Sequence, residues 1–450
     1  MKRNKLIRIH ISLFLAVIVC MIACEDKLNL ESPQGISAET ALSSDQGVKT
    51  ALIGCYGALS GIWSGIGGII QELLANDEDQ IIGPFGAWDE IFTKNIQAEN
   101  GVAANPWNGS YTLINRCNHV LNALEAVKEA DRDRVEGEAR FIRAAAYFDL
   151  VNFYGKAWTD GNPAINPGVP LVLTPTTGID ESSFPMRSTV AEVYERIIAD
   201  LVFARDHLPE VNDALATTYV ASGLLTRVFL MQEDFEQASQ EASRVIDSGI
   251  FSLVDDFFDI FNQSENTSED IFAIQKTLQD GGNDFIFFYA GKNYGGSGVI
   301  QITDTHVDKY TLGDIRQTFF YLDNFGARRT AKWLNPGTSD GNVNILRLAE
   351  MYLTRAECQF RLGHPEEALA DVNVIRIRAE LPPLGLDSLN LEAILTERSL
   401  ELAFEGHAFR DTKRTRKNVG DISYNDDRLV LPIPQREIDL NPNLIQNPGY

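Results

Sequence analysis

Helical periodicity of apolar positions is the strongest pattern along the chain. In TVAEVYERIIADL, residues 189–201, apolar side chains recur at i, i+3, i+4, i+7, i+8 and i+11, which indicates an amphipathic helix. Thr189 and Glu192 have the spacing of a capping box, so we expect this helix to begin directly after Thr189. A second helical pattern covers residues 135–155 and ends at Gly155, a residue common at helix ends.

Two later segments resemble each other. GLLTRVFLMQEDFEQASQEASRVID starts at residue 223, and YLTRAECQFRLGHPEEALADVNVIR starts at residue 352. Each has the pattern of a helix, a short polar turn and a second helix with an early alanine, Ala238 or Ala368. Small residues that interlock with large ones are typical of tetratricopeptide-like helix pairs. We therefore expect several helix pairs that form a scaffold and not a regular solenoid.

The pattern changes between the helical blocks. Residues 156–187 are rich in Pro, Gly and Thr, and residues 250–345 are rich in Gly, Asn, Asp and aromatics. Short apolar runs such as DIFAIQ and DFIFFY suggest short strands among loops. Long loops on a rigid scaffold often carry function. The predicted fold class is mainly α: a helix-pair scaffold at 41–60, 108–155, 186–250 and 343–414, and a loop-rich, partly irregular half at 61–107, 156–185 and 251–342.

The N-terminus has the pattern of an export signal. A basic start is followed by the apolar residues 11–23, a run too short for a spanning helix. The run ends in Met-Ile-Ala-Cys, which resembles a bacterial lipobox with Cys24 as the lipidated residue. We predict a signal peptide at 1–23 and a lipidated tether at 24–40. The alternative is a plain signal peptide cut nearby, with Cys24 an ordinary thiol.

Composition narrows the classes of partner. The hydrophobic fraction of 44% is that of a globular protein. The formal net charge of −24 becomes more negative when the four basic residues of the signal are removed. Such a surface repels phosphate backbones, so nucleic acid is not an expected partner. No HExxH, GxSxG, Walker or GxGxxG motif occurs, and the six histidines are scattered, so neither a metal site nor a catalytic elbow is predicted.

One segment is dense in ionisable groups. Glu397, Glu401 and Glu405 in ILTERSLELAFEGHAFRDTKR share a helix face if the helix extends that far. A pair of carboxylates can perform the general acid/base chemistry of a glycosidase. If they did so here, changing Glu401 and Glu405 would abolish turnover. A salt-bridged structural helix also accounts for them, because four basic residues lie close in sequence. We favour the structural interpretation and expect no catalysis.

Aromatic residues in the loop-rich half suggest a sugar-binding site. Sugars offer flat C–H faces and many hydroxyls, so their sites need aromatic platforms beside Asp, Asn, Gln or Arg. Residues 63–111 hold three of the five tryptophans among many glycines. Trp107 precedes an apparent helix and is expected to be packed. The candidate ligand-binding residues are Trp63, Asp77, Asp79, Trp88, Tyr289 and Tyr294. The acidic run NDED, residues 76–79, could instead bind calcium, although it lacks a spaced loop pattern.

Five blocks of the sequence carry a resemblance to a known family. They are the lipobox with acidic residues after Cys24, MRSTVAEVYERIIADL, ILRLAEMYLTRAEC, ERSLELAFEGHAFRDTKR, and the terminus LPIPQREIDLNPNLIQNPGY at 431–450. In this order they resemble the SusD/RagB family, the surface glycan-binding lipoproteins of outer-membrane nutrient uptake. The resemblance covers essentially the whole mature chain. It implies a single SusD-like domain at 41–450.

The resemblance also implies a function. Such a lipoprotein is anchored in the outer membrane, faces the cell exterior, binds oligosaccharide without turnover, and delivers it to a TonB-dependent, SusC-like transporter. The conserved-looking blocks are scaffold and transfer no binding residue. Three alternatives remain open: a peptide-binding protein of the same uptake architecture, a carboxylate glycosidase, and an adaptor that only gates its transporter.

Overall fold

The computed structural model describes residues 37–180, 183–276, 282–335 and 341–450. The predicted signal peptide and Cys24 lie outside the described residues, as does most of the tether. The N-terminal elements are α1 (Ala38–Ala41), α2 (Asp45–Trp63), α3 (Ile66–Ala75), β1 (Gln80–Ile82), α4 (Ala87–Thr93), α5 (Gly101–Asn122), α6 (Glu129–Tyr154), α7 (Val190–His207), α8 (Thr218–Met231) and α9 (Phe235–Ile246). The remaining ones are β2 (Asp270–Ile274), α10 (Asp284–Tyr289), β3 (Ile300–Ile302), α11 (Asp304–Val307), β4 (Phe320–Leu322), β5 (Arg328–Thr330), β6 (Val343–Arg347), α12 (Leu348–Arg361), α13 (Pro365–Arg378), α14 (Leu391–Glu401), α15 (Ala408–Arg414) and α16 (Gln435–Leu440).

A stack of antiparallel helices forms the scaffold, so the prediction of a mainly α fold is confirmed. Each helix from α5 to α9 packs on the next, α9 packs on α12, and α12 packs on α13 and α14. The two helix pairs anticipated from sequence are α8–α9 and α12–α13, and they are neighbours in space. Ala238 and Ala368 are fully buried, because a bare Cβ lets the partner helix approach closely. Gln359 Nε2 donates to Ser239 Oγ at 3.0 Å across the junction of the two pairs.

The predicted capping box is present at the start of α7. The Thr189 side chain accepts from the Glu192 backbone N–H, and Glu192 Oε2 accepts from the Thr189 backbone N–H at 2.7 Å. Two N–H groups that the helix cannot satisfy internally are thereby satisfied. The apolar face that follows is buried, including Val193, Ile197 and Leu201. Sequence periodicity therefore located both the start and the inner face of this helix.

Three two-stranded antiparallel sheets lie in the loop-rich half: β1–β3, β2–β6 and β4–β5. The run DIFAI forms β2, is buried along its length and pairs with β6, which leads directly into α12. The strand prediction for DFIFFY is wrong, because this run forms the short helix α10. The Asn283 side chain accepts from the Phe285 backbone N–H and thereby caps the helix.

The expected loop region 61–107 is more helical than predicted. It holds the end of α2, then α3 and α4, and the start of α5. The prediction of loops rested on the many glycines in this region, but some of them lie within helices or between helices and allow close packing. Gly68 lies inside α3, and a Cβ there would overlap the Phe285 ring. Gly65 has φ +130° and separates α2 from α3, a backbone conformation that favours glycine.

Two further observations concern the N-terminal part. Helix α1 begins at Ala38, so the predicted tether is already helical before residue 40. The run Asp45–Ala75 is long and apolar enough to cross a membrane by length and composition. It is divided at Gly65, however, and the inner faces of α2 and α3 are buried in the main core, as Leu59 and Ile70 illustrate.

Candidate functional site

The loop-rich half presents a group of exposed aromatic rings, which we call the aromatic surface: Phe85, Phe287, Tyr294, Tyr321 and Phe325. Phe85 is 38% exposed, Phe287 42%, Tyr294 37% and Phe325 81%, and Tyr321 is half-buried. The Phe85 and Phe287 rings are 6.4 Å apart between centroids, and the Tyr294 and Tyr321 rings are 5.1 Å apart. Exposed rings in pairs form an apolar patch that large ligands can cover.

The first pair rests on a buried aromatic layer. Phe85 lies in the turn between β1 and α4, and Phe287 lies on the outer face of α10. Beneath them, the buried rings of Trp88 and Phe288 meet edge to face with centroids 4.5 Å apart. The inner face of α10 is fixed by Phe285, which stacks on Trp333 at 4.5 Å. This support holds the exposed rings in position before any ligand arrives.

The second pair is held by a loop and a hairpin. Ser297 N donates to Phe287 O at 2.8 Å, which ties the loop carrying Tyr294 to α10. The Tyr321 hydroxyl on β4 accepts from the Gly291 backbone N–H at 3.0 Å. The two pairs are thus linked through one short, hydrogen-bonded segment of chain.

The hairpin turn that carries Phe325 is also fixed by hydrogen bonds. Asp323 Oδ1 accepts from the backbone N–H groups of Phe325 and Ala327 at 2.8 and 3.0 Å. Its Oδ2 accepts from Arg329 Nε at 2.9 Å. Burial opposes ionisation of Asp323, but these donors outweigh it and hold the pKa of the carboxyl below its ordinary value. Gly326 supplies the positive φ of +75° that the turn needs.

The polar groups beside the rings suit hydroxyl ligands. Asn293 and Asn324 are exposed neighbours in sequence of Tyr294 and Phe325. Amides and a phenol both donate and accept hydrogen bonds without carrying charge. Ring faces with neutral hydrogen-bonding groups at their edges are what an uncharged polyhydroxylated ligand requires.

Of the candidate residues from sequence, Tyr294 belongs to the aromatic surface. Trp63, Trp88 and Tyr289 do not, and their interpretation as stacking platforms is corrected. Trp63 donates from Nε1 to Asp149 Oδ2 at 2.6 Å and packs its edge on Phe272. Trp88 is 8% exposed, and Tyr289 is fully buried with its hydroxyl on Gln80. Trp88 and Tyr289 are buried in the core, as is Trp107, which was expected to be packed, and Trp63 is half-buried against the core.

The two acidic candidates lie elsewhere. Asp77 is exposed on the loop between α3 and β1. Asp79 pairs with Lys309 Nζ at 2.5 Å and lies 3.3 Å from His306 Nδ1. Burial would raise the pKa of Asp79, but His306 and Lys309 lower it to about 2. Among the described residues, no group of three or more His, Cys, Asp or Glu side chains is placed to hold a metal ion.

The carboxylates of the glycosidase hypothesis form a buried ion network. Glu401 lies 3.2 Å from both Arg316 and Arg347, and Glu405 lies 2.7 Å from Arg347. Glu397 pairs with Arg316 at 2.7 Å. Burial raises the pKa of Glu401, but the surrounding cations hold it well below its ordinary value. Glu401 therefore stays ionised and faces arginines, which does not suit a general acid, and the ion pairs of Glu397 and Glu405 support the structural interpretation of all three.

Sequence analysis missed Phe85, Phe287, Tyr321 and Phe325. Two of them had a local signal: Phe85 lies in Gly-Pro-Phe-Gly and Phe325 in Asp-Asn-Phe-Gly, both typical turn compositions that expose their central residue. No comparable signal marked Tyr321, because it lies in a short strand with aromatic neighbours.

Two family models match the chain. The model described as the SusD family matches residues 286–429. The SusD-like model described as "starch-binding associating with outer membrane" matches residues 75–230. Together they include the aromatic surface and most of the helical scaffold.

Relatives of known name match over most of their length. SusD-like protein P38 of Formosa agariphila is 25% identical over 497 residues, covering 95% of this chain and 96% of that protein. The starch-binding protein SusD of Bacteroides thetaiotaomicron is 23% identical over 447 residues, covering 75% and 76%. The crystal structure of a SusD superfamily protein from Bacteroides thetaiotaomicron superposes with a TM-score of 0.80 at 25% identity, over 90% of this chain and all of that one.

Proposed function

The chain belongs to the SusD/RagB family, and we propose that it is an outer-membrane-associated protein that binds glycan chains at its aromatic surface without turnover. The observation that carries this proposal is the pair of exposed ring contacts, Phe85–Phe287 and Tyr294–Tyr321, on a rigid support. The descriptions of the matching model and of the starch-binding relative support the ligand class.

The chemistry of the aromatic surface supports an uncharged ligand. Aromatic faces stack on the C–H faces of sugar rings, and the amides of Asn293 and Asn324 can orient their hydroxyls. The strongly negative net charge of the chain would repel an acidic polymer. Several weak contacts on a preformed surface suit modest affinity and fast release, which an uptake protein needs.

The role in uptake extends this proposal. The protein is anchored by lipid on Cys24, faces the cell exterior, and delivers its ligand to a TonB-dependent, SusC-like transporter. The lipobox pattern and the family resemblance support these steps. A Cys24→Ala variant should leave the outer-membrane fraction, and one that stays bound after a salt wash would contradict the anchor. Co-purification of such a transporter with the native protein tests the partnership.

The ligand class is tested by calorimetric titration of the full chain in a detergent without a sugar headgroup. The titrants are neutral plant, fungal and host oligosaccharides, with a peptide mixture alongside. We expect saturable heat with one glycan class and recovery of intact sugar. Heat with peptides alone would favour the peptide-binding alternative, and released shorter sugars would contradict binding without turnover.

The binding surface is tested with Phe287→Ala and Tyr294→Ala. Covering the exposed part of either ring is worth about 1–2 kcal/mol, so each variant should bind the glycan about 5- to 30-fold more weakly. Phe258→Ala is the matched control, because Phe258 is 41% exposed and stacks on Phe319 instead. Equal effects of Phe287→Ala and Phe258→Ala would refute the assignment of the surface.

A further inference from the structure

A cleft of about 640 Å³ opens between the C-terminal end of α3, helix α11, and helices α14 and α15. No residue of the aromatic surface lines it. Its volume lies within the range of sites for small molecules, roughly 300–1,000 Å³. The cleft is therefore large enough for a compact ligand and separate from the surface proposed above for glycan chains.

Apart from the buried Glu72, the acidic and basic side chains that line the cleft balance in number: Asp79, Glu392 and Asp411 against Lys309, Arg398 and Lys417. Lys309 Nζ lies 2.5 Å from Asp79 Oδ1, and Arg398 Nε lies 2.9 Å from Asp411 Oδ2. These two pairs neutralise themselves, and the exposed Glu392 and Lys417 carry opposite charges, so the walls favour neither an anion nor a cation. An uncharged ligand is favoured.

Neutral polar groups also line the cleft. Helix α14 presents the hydroxyls of Thr396 and Ser399, which are exposed and three residues apart on one helix face. Thr412 on α15 adds another hydroxyl to the lining. The imidazole of His407 is buried in the same wall, and burial lowers its pKa well below the ordinary value. A neutral imidazole and several hydroxyls both donate and accept hydrogen bonds, as sugar hydroxyls do.

An apolar wall completes the cleft. Leu391 and Leu395 on α14 line it, together with Leu402 and Phe404 in the turn after that helix. Leu391 and Leu395 are half-buried and offer apolar area beside the hydroxyl groups, whereas Leu402 and Phe404 are almost fully buried behind them. A ligand that combines C–H faces with hydroxyls matches both walls at once.

We propose that this cleft is a second binding site, which takes an uncharged disaccharide. It extends the proposed glycan binding from the aromatic surface to a site with different residues. The two sites would differ in the size of their ligand, since the surface accommodates a chain and the cleft a short piece.

The test uses the full chain in a sugar-free detergent with four probes: maltose, cellobiose, glucosamine and glucuronate. The background is the double variant Phe287→Ala, Tyr294→Ala, in which the aromatic surface is disabled. We expect maltose or cellobiose to bind this background with an affinity within about twofold of the unmodified chain. Preference for a charged probe, or no binding of either neutral disaccharide, would overturn the proposal.

Ser399→Trp in that background fills the cleft. Ser399 is exposed and its hydroxyl bonds only to Thr396 O of its own helix at 2.8 Å, so the fold should tolerate the change. Disaccharide affinity should fall at least tenfold, whereas Ser388→Trp, on the exposed turn before α14, should leave it unchanged. Unchanged binding in Ser399→Trp would refute the site.

Two further measurements test whether a loss of binding comes from the cleft itself. Thr396→Ala removes one hydroxyl without adding volume and should weaken the disaccharide several-fold, which separates a lost contact from a misfolded variant. Titration of a long oligosaccharide with Ser399→Trp alone should give the affinity of the unmodified chain. Long-chain binding should be lost only in the aromatic variants, and disaccharide binding only in Ser399→Trp. The proposal for the cleft and the proposal for the aromatic surface can therefore fail independently.

Discussion

Glu72 on α3 is a buried carboxyl group whose ionisation opposes folding. It is nearly fully buried, and its Oε1 accepts from the backbone N–H groups of Gly406 and His407 at 2.8 and 3.2 Å, just before α15. Burial raises its pKa to about 7, although these N–H donors and Lys332 act in the opposite direction. The carboxyl group is therefore protonated in the folded protein at mildly acidic pH.

The size and sign of the effect of Glu72 on folding stability follow from this rise in its pKa. In the unfolded chain Glu72 loses its proton near 4.5, the value for the free side chain. Between pH 4.5 and about 7 the folded state holds one more proton than the unfolded state, so stability falls as the pH rises. A rise in pKa from 4.5 to about 7 corresponds to about 3 kcal/mol, lost in full above pH 7.

Glu72→Gln removes this penalty. The glutamine Oε1 can accept from the same two N–H groups, and its side chain never ionises. We expect the variant to be more stable than the unmodified chain by up to about 3 kcal/mol at pH 8, with the difference shrinking to near zero at pH 4.5.

The assay is urea unfolding followed by circular dichroism at pH 4.5, 5.5, 6.5, 7.5 and 8.5, with a free energy of unfolding at each pH. Glu78→Gln serves as the control, because Glu78 is an exposed carboxylate on the loop after α3. A variant that is less stable than the unmodified chain at pH 8 would refute the reasoning, since Glu72 would then be ionised and stabilising.

Three further predictions concern single side chains. Trp88→Ala should lower the free energy of unfolding by about 3–5 kcal/mol in urea titrations, because it opens a cavity under Phe288; a loss below 1 kcal/mol would contradict its burial. Glu401→Gln should cost about 3–5 kcal/mol, since it leaves buried arginines under-compensated, and calorimetry should show unchanged glycan affinity; lost turnover would revive the glycosidase hypothesis. Asp79→Asn should cost about 1–2 kcal/mol at pH 7, and the difference should vanish as the pH falls from about 4 to about 2, because His306 and the ion pair with Lys309 lower the pKa of Asp79. A pH-independent cost would show that the lowered pKa of Asp79 is not its origin.

The scaffold was predictable because its helices are long and bury one face. Periodicity over a dozen residues outweighs local irregularities, and capping residues such as Thr189 mark the ends. The buried alanines, Ala238 and Ala368, also had a pattern, since the same small residue recurs at the same place in two similar segments. What the pattern did not contain was the adjacency of the two pairs, which depends on tertiary contacts between α9 and α12.

Glycine-rich sequence was the main source of error in the N-terminal third. A glycine can mark a turn, as Gly65 does, or allow a close approach between elements, as Gly68 does against Phe285. Composition alone does not distinguish these uses, because both depend on a partner far away in sequence. The tryptophans around these glycines were therefore assigned to loops, although Trp63 and Trp88 are packed on helices.

The prediction of the candidate site depended on whether one six-residue segment, DFIFFY, forms a strand or a helix. If DFIFFY were a strand, alternation would place Phe285, Phe287 and Tyr289 on one face. In the helix α10, residues at i, i+3 and i+4 share a face, so Phe285, Phe288 and Tyr289 are buried and Phe287 alone among these aromatics points to solvent. Periodicity cannot separate strand from helix in so short an apolar run. The helix is selected by tertiary contacts, the stacking of Phe285 on Trp333 and the hydrogen bond of Tyr289 to Gln80, and those contacts decide which ring is left free to meet a ligand.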